Sequence, residues 1–255
     1  MKQRTISAVV AIAICIGPLI FGGLPIKILL GLIGALGIYE FVKCTHKTLN
    51  LPILAILEAG FIVTFLFQSK LLAVLIIETI LLFMLAVQDE KMSVEDIFAD
   101  IVMSGIISTC IPAVMNLYAE GKNLLFIYIL LTSLVCDTGA YFVGCRFGKH
   151  KLNERVSPKK TIEGSVGGWI IAALVSFVFA YLNQFFGLPM FVILALSLLL
   201  PLVSELGDLA FSLIKRKYGI KDYGNIMPGH GGVLDRVDSV IFCILLFVAI
   251  KSLLL

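Results

Sequence analysis

Hydrophobic residues occur along this chain in long runs, and short polar segments separate one run from the next. A helix needs about 20 apolar residues to cross the hydrocarbon core of a bilayer, and most of the runs have about that length. The pattern therefore favours an all-α, polytopic integral membrane protein with about nine transmembrane helices. We predict these helices at 5–22, 24–42, 51–67, 70–87, 101–118, 123–143, 165–186, 189–213 and 236–254.

Composition supports a membrane setting. The 255 residues are 60% hydrophobic, with a mean hydropathy of +1.05, which is too apolar for a soluble domain. No shift in composition marks a second domain, so we expect a single membrane domain over 1–255. Its N-terminal helices (1–120) carry few motifs, and its candidate catalytic helices and loops lie in 121–255. The six cysteines form no C-x-x-C pair, and we interpret them as small apolar side chains of helices.

The distribution of Lys and Arg predicts the orientation. With a cytoplasmic N-terminus, the cytoplasmic segments hold 16 of the 20 basic residues, and only Lys27, Lys70, Lys122 and Lys251 lie outside. The positive-inside rule therefore favours this orientation, with an external C-terminus after nine helices. The two long charged loops, 144–164 and 214–235, then both face the cytoplasm.

Acidic and basic side chains are concentrated together near the end of the chain. Carboxylate oxygens bind hard cations such as Mg²⁺, and Lys and Arg bind phosphate oxygens, so the combination is what a metal–polyphosphate site needs. A purely basic segment would instead indicate attraction to acidic lipid headgroups. The residues are Glu205, Asp208, Lys215, Arg216, Lys217, Lys221, Asp222, Asp235, Arg236 and Asp238.

The spacing of these residues along the sequence predicts which of them share one face of a helix. Ser204, Asp208, Ser212 and Lys215 follow positions i, i+4, i+8 and i+11, so a helix presents them on one face. Asp235 and Asp238 are three residues apart in the first turn of the last apolar run, where negative charge is favoured. Between the two sets lies P-G-H-G-G (228–232), whose glycines permit unusual backbone angles and the close approach of backbone N–H groups to an anion.

A second group of polar residues surrounds the sixth apolar run. Asp137 lies inside that run, and an ionisable side chain within a membrane helix is by default a functional hypothesis. In S-P-K-K-T-I-E-G (157–164), Lys159 and Lys160 stand beside the hydroxyls of Ser157 and Thr161, which predicts a phosphate clamp with a helix start nearby. The alternative is a solvated basic loop that only obeys the topology.

The remaining polar residues carry weaker signals. We expect Glu58 and Glu78, in apolar runs, to be hydrogen-bonded carboxyls or helix contacts, and Glu40 to lie near a cytoplasmic helix end. The segment from Asp89 to Asp100 reads as a solvated acidic loop. The histidines at positions 46 and 150 read as ordinary loop residues.

The C-terminal half of the chain resembles a known family. The segment from Ser212 to Asp238, S-L-I-K-R-K-Y-G-I-K-D-Y-G-N-I-M-P-G-H-G-G-V-L-D-R-V-D, closely resembles the signature of the phosphatidate cytidylyltransferases, also called CDP-diacylglycerol synthases. S-E-L-G-D (204–208), C-D-T-G-A-Y-F-V-G (136–144) and S-P-K-K-T-I-E-G extend the resemblance. Met227 stands where leucine, isoleucine or phenylalanine is usual, which affects no reacting group. The N-terminal half is similar only in its hydrophobic pattern and basic start.

The resemblance implies a reaction in which phosphatidate attacks CTP to give CDP-diacylglycerol and pyrophosphate. It also implies Mg²⁺, with a second cation such as K⁺ beside it, and a homodimer in the cell membrane whose active site faces the cytoplasm. No nucleic-acid partner is expected. The implied catalytic residues are Asp208, Asp235, Lys215 and Arg236, and the implied metal ligands are Asp208, Asp235, Asp238 and Asp222. The implied substrate contacts are Ser157, Lys159, Lys160, Thr161, Ser204, Ser212, Arg216, Lys221, His230, Gly231 and Gly232, with Asp137 and Glu163 in support.

Three other classes of function remain open at this point. One is a non-enzymatic lipid-binding scaffold, although that class gives no reason for five carboxylates among the basic residues. A related enzyme could use CTP on another lipid, as a kinase or a cytidylyltransferase, because nothing in the sequence reads acyl chains. An ion-coupled transporter could line its path with Glu58, Glu78 and Asp137. The chain shows no internal repeat of the kind that many transporters have, which weakens that alternative.

Overall fold

The computed structural model describes residues 13–90, 92–183, 189–226, 229 and 231–254. Residues 13–21 are helical. Eight further helices follow: α1 (Gly23–Thr45), α2 (Leu51–Leu66), α3 (Leu71–Gln88), α4 (Val94–Ala119), α5 (Asn123–Phe147), α6 (Ile162–Leu182), α7 (Met190–Lys217) and α8 (Leu234–Leu254). A 3₁₀ turn (Gln68–Lys70) precedes α3, and a two-stranded antiparallel hairpin, β1 (Lys151–Asn153) and β2 (Ser157–Thr161), joins α5 to α6.

Polar side chains begin several of these helices by accepting hydrogen bonds from backbone N–H groups that have no partner within the helix. Asn50 Oδ1 accepts from Ile53 N at 3.4 Å at the start of α2. Thr161 Oγ1 accepts from Gly164 N at 3.1 Å at the start of α6, where the sequence predicts a helix to begin.

The acidic segment from Asp89 to Asp100 is the clearest correction to the sequence analysis. It is not a solvated loop, because α4 begins at Val94, seven residues before the predicted start at 101. Ser93 caps the helix by accepting from Glu95 N at 3.2 Å, and acidic residues in a first turn suit the positive end of the helix dipole. Asp100 is therefore helical and fully buried.

Six helices in the described part of the chain are long and apolar enough to cross a membrane, namely Gly23–Thr45, Gln68–Gln88, Val94–Ala119, Asn123–Phe147, Ile162–Leu182 and Met190–Lys217. The apolar helix α2 has 16 residues, or about 24 Å of length, which is short of the hydrocarbon core. Large apolar side chains such as Ile80, Leu174 and Phe191 are exposed on the helices. These features are those of an integral membrane protein.

The chain divides into two compact units. Unit 1 takes its described residues from Met1–Gly121 and Tyr218–Arg236. In it α1, α2 and α3 pack around α4, with Ile38, Phe41, Ile53 and Ile107 in the core.

The core of unit 1 also contains polar contacts. Asp100 accepts hydrogen bonds from Thr45 Oγ1 at 3.0 Å and contacts His46 Nε2 at 2.8 Å. Tyr218 donates its hydroxyl to Asp96 at 2.8 Å, which ties the segment after α7 to the start of α4. The expectation that His46 is an ordinary loop residue is therefore wrong, because its ring pairs with a buried carboxylate.

Unit 2 takes its described residues from Lys122–Lys217 and Val237–Leu255. Helices α5 and α6 are in closest contact, because small residues face one another where they cross. A Cβ on Gly139 would lie 3.2 Å from Gly168 Cα, and a Cβ on Gly168 would lie 2.6 Å from the Cys136 carbonyl oxygen. The close crossing holds the hairpin and the middle of α5 in fixed positions beside α7.

Candidate active site

The polar centre of unit 2 is a group of side chains that we term the carboxylate–lysine cluster: Asp137, Lys160, Asp208, Lys215 and Asp238. They come from α5, β2, α7 and α8. The Lys160 ammonium lies 2.6 Å from Asp208 Oδ2, and the two side chains are 20% and 28% exposed. A cation from the hairpin thus contacts a carboxylate in the middle of a long apolar helix.

The electrostatic setting of Lys160 favours its charged form. Burial by itself would lower the pKa of its ammonium group, but Asp208, Asp137 and Glu205 together outweigh that effect and raise the pKa above its usual value. Lys160 is therefore protonated at neutral pH. The cluster thus combines a charged lysine, which can bind a phosphate oxygen, with carboxylates, which can bind a hard cation.

Asp238 and its neighbour Ser239 connect α8 to α5. Asp238 Oδ1 accepts from Ser239 N at 2.8 Å, and the Ser239 hydroxyl lies 3.3 Å from both Asp238 Oδ1 and Asp137 Oδ2. Asp238 is buried, whereas Asp137 is exposed. Lys215 is also buried, within electrostatic range of Asp238.

Helix α7 presents its polar residues on one face, as their spacing predicts. Ser212 Oγ donates to Asp208 Oδ1 at 3.4 Å, so the hydroxyl supports the carboxylate that Lys160 contacts. Ser204, two turns earlier than Ser212, is fully buried and donates to Ser133 Oγ at 3.0 Å. Its partner is thus a side chain of α5, and its predicted contact with substrate stays a prediction.

The hairpin places Ser157, Lys159, Lys160 and Thr161 along one strand. Ser157 is half-buried and Lys159 is exposed, while Thr161 is committed to capping α6. Arg216 Nε donates to the Val156 carbonyl at 3.3 Å, which anchors the end of α7 to the hairpin.

Glu163 fastens the loop that leads into the hairpin. Its Oε2 accepts from Lys149 N at 3.0 Å and from His150 N at 3.2 Å, and its Oε1 lies 2.6 Å from His150 Nδ1. The supporting position predicted for Glu163 thus has a definite set of partners. The reading of His150 as an ordinary loop residue is wrong in one respect, because its ring pairs with this carboxylate.

In unit 1, Asp235 binds backbone N–H groups of the segment that precedes α8. Its Oδ2 accepts from Tyr223 N at 2.8 Å and from Gly232 N at 2.9 Å. Gly231 has φ +85°, and a Cβ there would lie 2.8 Å from the same oxygen and 3.4 Å from Asp222 Cβ. The unusual backbone angles expected of these glycines are present at Gly229 (φ 77°) and Gly231.

Several predicted site residues of unit 1 lie at its surface. Lys221, Asp222 and Arg236 are exposed, Gly231 is half-buried, and Gly232 is buried. His230, together with Met227 and Pro228, lies outside the described residues. The predicted roles of the residues in both units remain predictions.

The sequence analysis missed one residue that organises this region. Glu40 of α1 is 1% exposed, and its carboxylate accepts from Val233 N and Leu234 N. The only sequence signal for it is an acid at the end of an apolar run, and no spacing rule connects it to a segment 193 residues away.

The candidate metal ligands are carboxylates, whose oxygens suit a hard cation such as Mg²⁺. Within the described residues, no three Asp, Glu, His or Cys side chains form a group that could hold a metal ion as they stand. One oxygen of Asp208 faces Lys160, and one oxygen of Asp235 accepts two backbone amides. The donor chemistry therefore fits Mg²⁺, but a cation would have to share these carboxylates with their present partners.

Taken together, the apolar helices and the carboxylate–lysine cluster define an α-helical membrane protein with paired acidic and basic side chains in unit 2. Comparison with known proteins is more specific: the model of the Cytidylyltransferase family matches residues 2–254, and the chain belongs to that family. A protein of Bacillus subtilis (strain 168) named phosphatidate cytidylyltransferase is 33% identical over 257 residues, covering 95% of this chain and 94% of the relative. Proteins with the same name from Staphylococcus aureus (strain COL) and Staphylococcus haemolyticus (strain JCSC1435) are each 32% identical, covering 95% of both chains.

Proposed function

We propose that the protein is a phosphatidate cytidylyltransferase, which transfers the cytidylyl group of CTP to phosphatidate for phospholipid biosynthesis. The observation that carries the proposal is the family match over residues 2–254, with relatives of that name aligned over 95% of the chain. The pairing of Lys160, from strand β2, with Asp208 of the apolar helix α7 supports it, because a passive lipid-binding protein has no need of such a pair.

The reaction needs no nucleophile from the protein. A phosphate oxygen of phosphatidate attacks the α-phosphorus of CTP, one P–O bond forms, and the bond from the α-phosphorus to the bridging oxygen of the β-phosphate breaks. Pyrophosphate leaves with the electron pair of that bond. With phosphatidate as the dianion, the total charge is unchanged and no proton is transferred. The protein therefore contributes by positioning the two reactants and by offsetting charge.

The basic residues offset the negative charge of the substrate phosphates. We assign Lys160, Lys215, Arg216, Lys221 and Arg236 to phosphate oxygens of the substrates. Lys159 is a further proposed substrate contact. Hydroxyls of Ser157, Thr161, Ser204 and Ser212, the backbone of Gly231 and Gly232, and the ring of His230 are the remaining proposed contacts. Asp137 supports the group through Ser239, whose hydroxyl lies 3.3 Å from its Oδ2.

We propose Mg²⁺ as the cofactor, bound by carboxylates among Asp208, Asp222, Asp235 and Asp238, with a second cation such as K⁺ beside it. When bound, Mg²⁺ would offset the charge that develops on the phosphate oxygens. What supports this is the oxygen-only donor set and the three-residue spacing between Asp235, in the first turn of α8, and Asp238.

We further propose nine membrane-spanning helices with a cytoplasmic N-terminus, a homodimeric assembly in the cell membrane, and an active site that faces the cytoplasm. The distribution of basic residues supports the orientation. CTP is soluble and phosphatidate is held in the bilayer, so a site at the cytoplasmic surface receives both substrates directly.

The test is turnover of radiolabelled CTP and phosphatidate by detergent-purified protein, with Mg²⁺ or with EDTA. We expect Mg²⁺-dependent CDP-diacylglycerol and pyrophosphate in equal amounts. Asp208→Asn and Asp235→Asn should each lower turnover by about a hundredfold or more, since each removes charge from the reacting region. Glu58→Gln is the matched control, because it also neutralises a carboxylate in an apolar helix and has no assigned role.

Other outcomes distinguish the alternatives. Transfer of label from the γ-phosphate of CTP to a lipid would indicate a CTP-dependent kinase. CDP-lipid formation with a different lipid acceptor would keep the chemistry and change the substrate. Absence of any reaction with folded protein would contradict the proposal and favour transport.

A further inference from the structure

The first turn of α8 is bonded to a carboxylate from the N-terminal half of unit 1. Glu40 Oε1 accepts from Val233 N at 3.0 Å, and its Oε2 accepts from Leu234 N at 2.9 Å. Glu40 is 1% exposed, so both bonds are shielded from water. A buried pair of this kind is costly to break, because each amide would be left without an acceptor and without water to replace it.

Two glycines leave the space that this carboxylate occupies. A Cβ built on Gly224 or on Gly232 would collide with the Glu40 carboxylate oxygens. Neither glycine has a positive φ, so the backbone angle does not require glycine at either position. We conclude that glycine is needed there for room, and that Gly224 and Gly232 pack closely against the Glu40 carboxylate.

Asp235 binds further backbone N–H groups next to those that Glu40 binds. Its Oδ2 accepts from Gly232 N at 2.9 Å and from Tyr223 N at 2.8 Å. Glu40 and Asp235 together therefore bind the N–H groups of three successive residues, 232–234, at the start of the helix. The anions at this helix N-terminus are the protein's own carboxylates.

We infer that Glu40 is a positioning residue for the reaction: by binding the first amides of α8 it fixes the start of the helix and the orientation of Asp235. This inference rests on the proposed function. A consequence follows for substrate recognition. The amides of Val233 and Leu234 are committed to Glu40, so the phosphates of CTP do not bind these two N–H groups.

Kinetics of three Glu40 variants test the positioning role. Glu40→Gln keeps one acceptor oxygen and turns an N–H₂ group toward a backbone donor, so we expect kcat to fall about 10- to 100-fold, the range that follows from misplacing a reacting group by about 1 Å. KM for CTP should change less than about threefold, because Glu40 contacts no substrate. Glu40→Asp retains both oxygens and should recover part of kcat, whereas Glu40→Ala should not. Glu58→Gln, the control, should leave both constants unchanged.

A double-mutant cycle tests the contact itself. Gly224→Ala should lower kcat in the wild-type background, because its methyl group displaces the Glu40 carboxylate. In the Glu40→Ala background the same substitution should cost less than about twofold, since the group it collides with is gone. Equal costs in both backgrounds would overturn the inference.

Hydrogen exchange separates this inference from the proposed function. In peptides covering residues 231–236, Glu40→Gln should increase amide exchange, and Glu58→Gln should not, whether or not CTP is turned over. If the wild-type protein forms no CDP-diacylglycerol, the proposed function fails, while the exchange result still reports on the contact. Faster exchange with unchanged kcat would make Glu40 purely structural and overturn the positioning role, and unchanged exchange would overturn the contact.

Discussion

Replacing Lys160 by methionine removes a cation that is in direct contact with Asp208 and keeps most of the side chain's volume. The two charges are 2.6 Å apart, which corresponds to about 6 kcal/mol of attraction at an effective dielectric constant of about 20, before the cost of desolvating both groups. Exposed ion pairs contribute about 0–1 kcal/mol net, whereas breaking a buried pair costs about 3–5 kcal/mol.

Lys160 and Asp208 lie between these limits, with 20% and 28% of their side chains exposed. We therefore expect Lys160→Met to lower the free energy of unfolding by about 2 kcal/mol. For a chain of this size, that corresponds to a decrease in Tm of about 4–8 °C. Cytidylyl transfer should fall further than stability predicts, by about a hundredfold or more, if the ammonium also offsets charge on the reacting phosphates.

The measurement is thermal unfolding in detergent beside the CTP turnover assay, with Lys149→Met as the matched control. Lys149 is exposed on the loop before the hairpin, and it contributes a backbone N–H, not its side chain, to the contact with Glu163. Its replacement should change Tm by less than about 1 °C. An unchanged Tm and unchanged turnover in Lys160→Met would refute the reasoning, because the pair would then contribute to neither stability nor catalysis.

Three further predictions address the rest of the molecule. Asp100 raises the pKa of His46 despite the opposing effect of burial, so the stabilisation from the pair is full below the ordinary histidine pKa of about 6.5 and is lost as the pH rises through the folded-state value. His46→Gln should therefore lower Tm more at pH 6 than at pH 9, and an equal decrease at both would contradict this. Gly168→Ala should destabilise the protein by about 1–3 kcal/mol through overpacking at the α5–α6 crossing, whereas Gly105→Ala, whose Cβ would make an ordinary contact at 3.4 Å, should not. Glu163→Gln should speed proteolysis between α5 and β1 because its contacts to that loop weaken, and an unchanged cleavage rate would show that they do not hold the loop.

The sequence determined the helices and the type of chemistry. Each predicted run from 24 onward coincides with a helix to within a few residues, apart from the earlier start of α4, because apolar runs of this length have few alternatives to a helix. The spacing of Ser212 and Asp208 placed them on one face, and their side chains are bonded at 3.4 Å. The carboxylate, lysine and glycine composition of 204–238 indicated the phosphate chemistry before any contact was known.

Only the tertiary structure decided which of these groups meet. Lys160 and Asp208 could be assigned to one site by resemblance, but their ion pair depends on how the hairpin folds beside α7. The link from Glu40 to Val233 joins residues 193 positions apart, and local periodicity carries no information about such a contact. The reason is physical: helix formation depends on interactions within a few residues, whereas the partner of a buried charge is fixed by packing between distant segments, where leaving that charge unpaired costs the most.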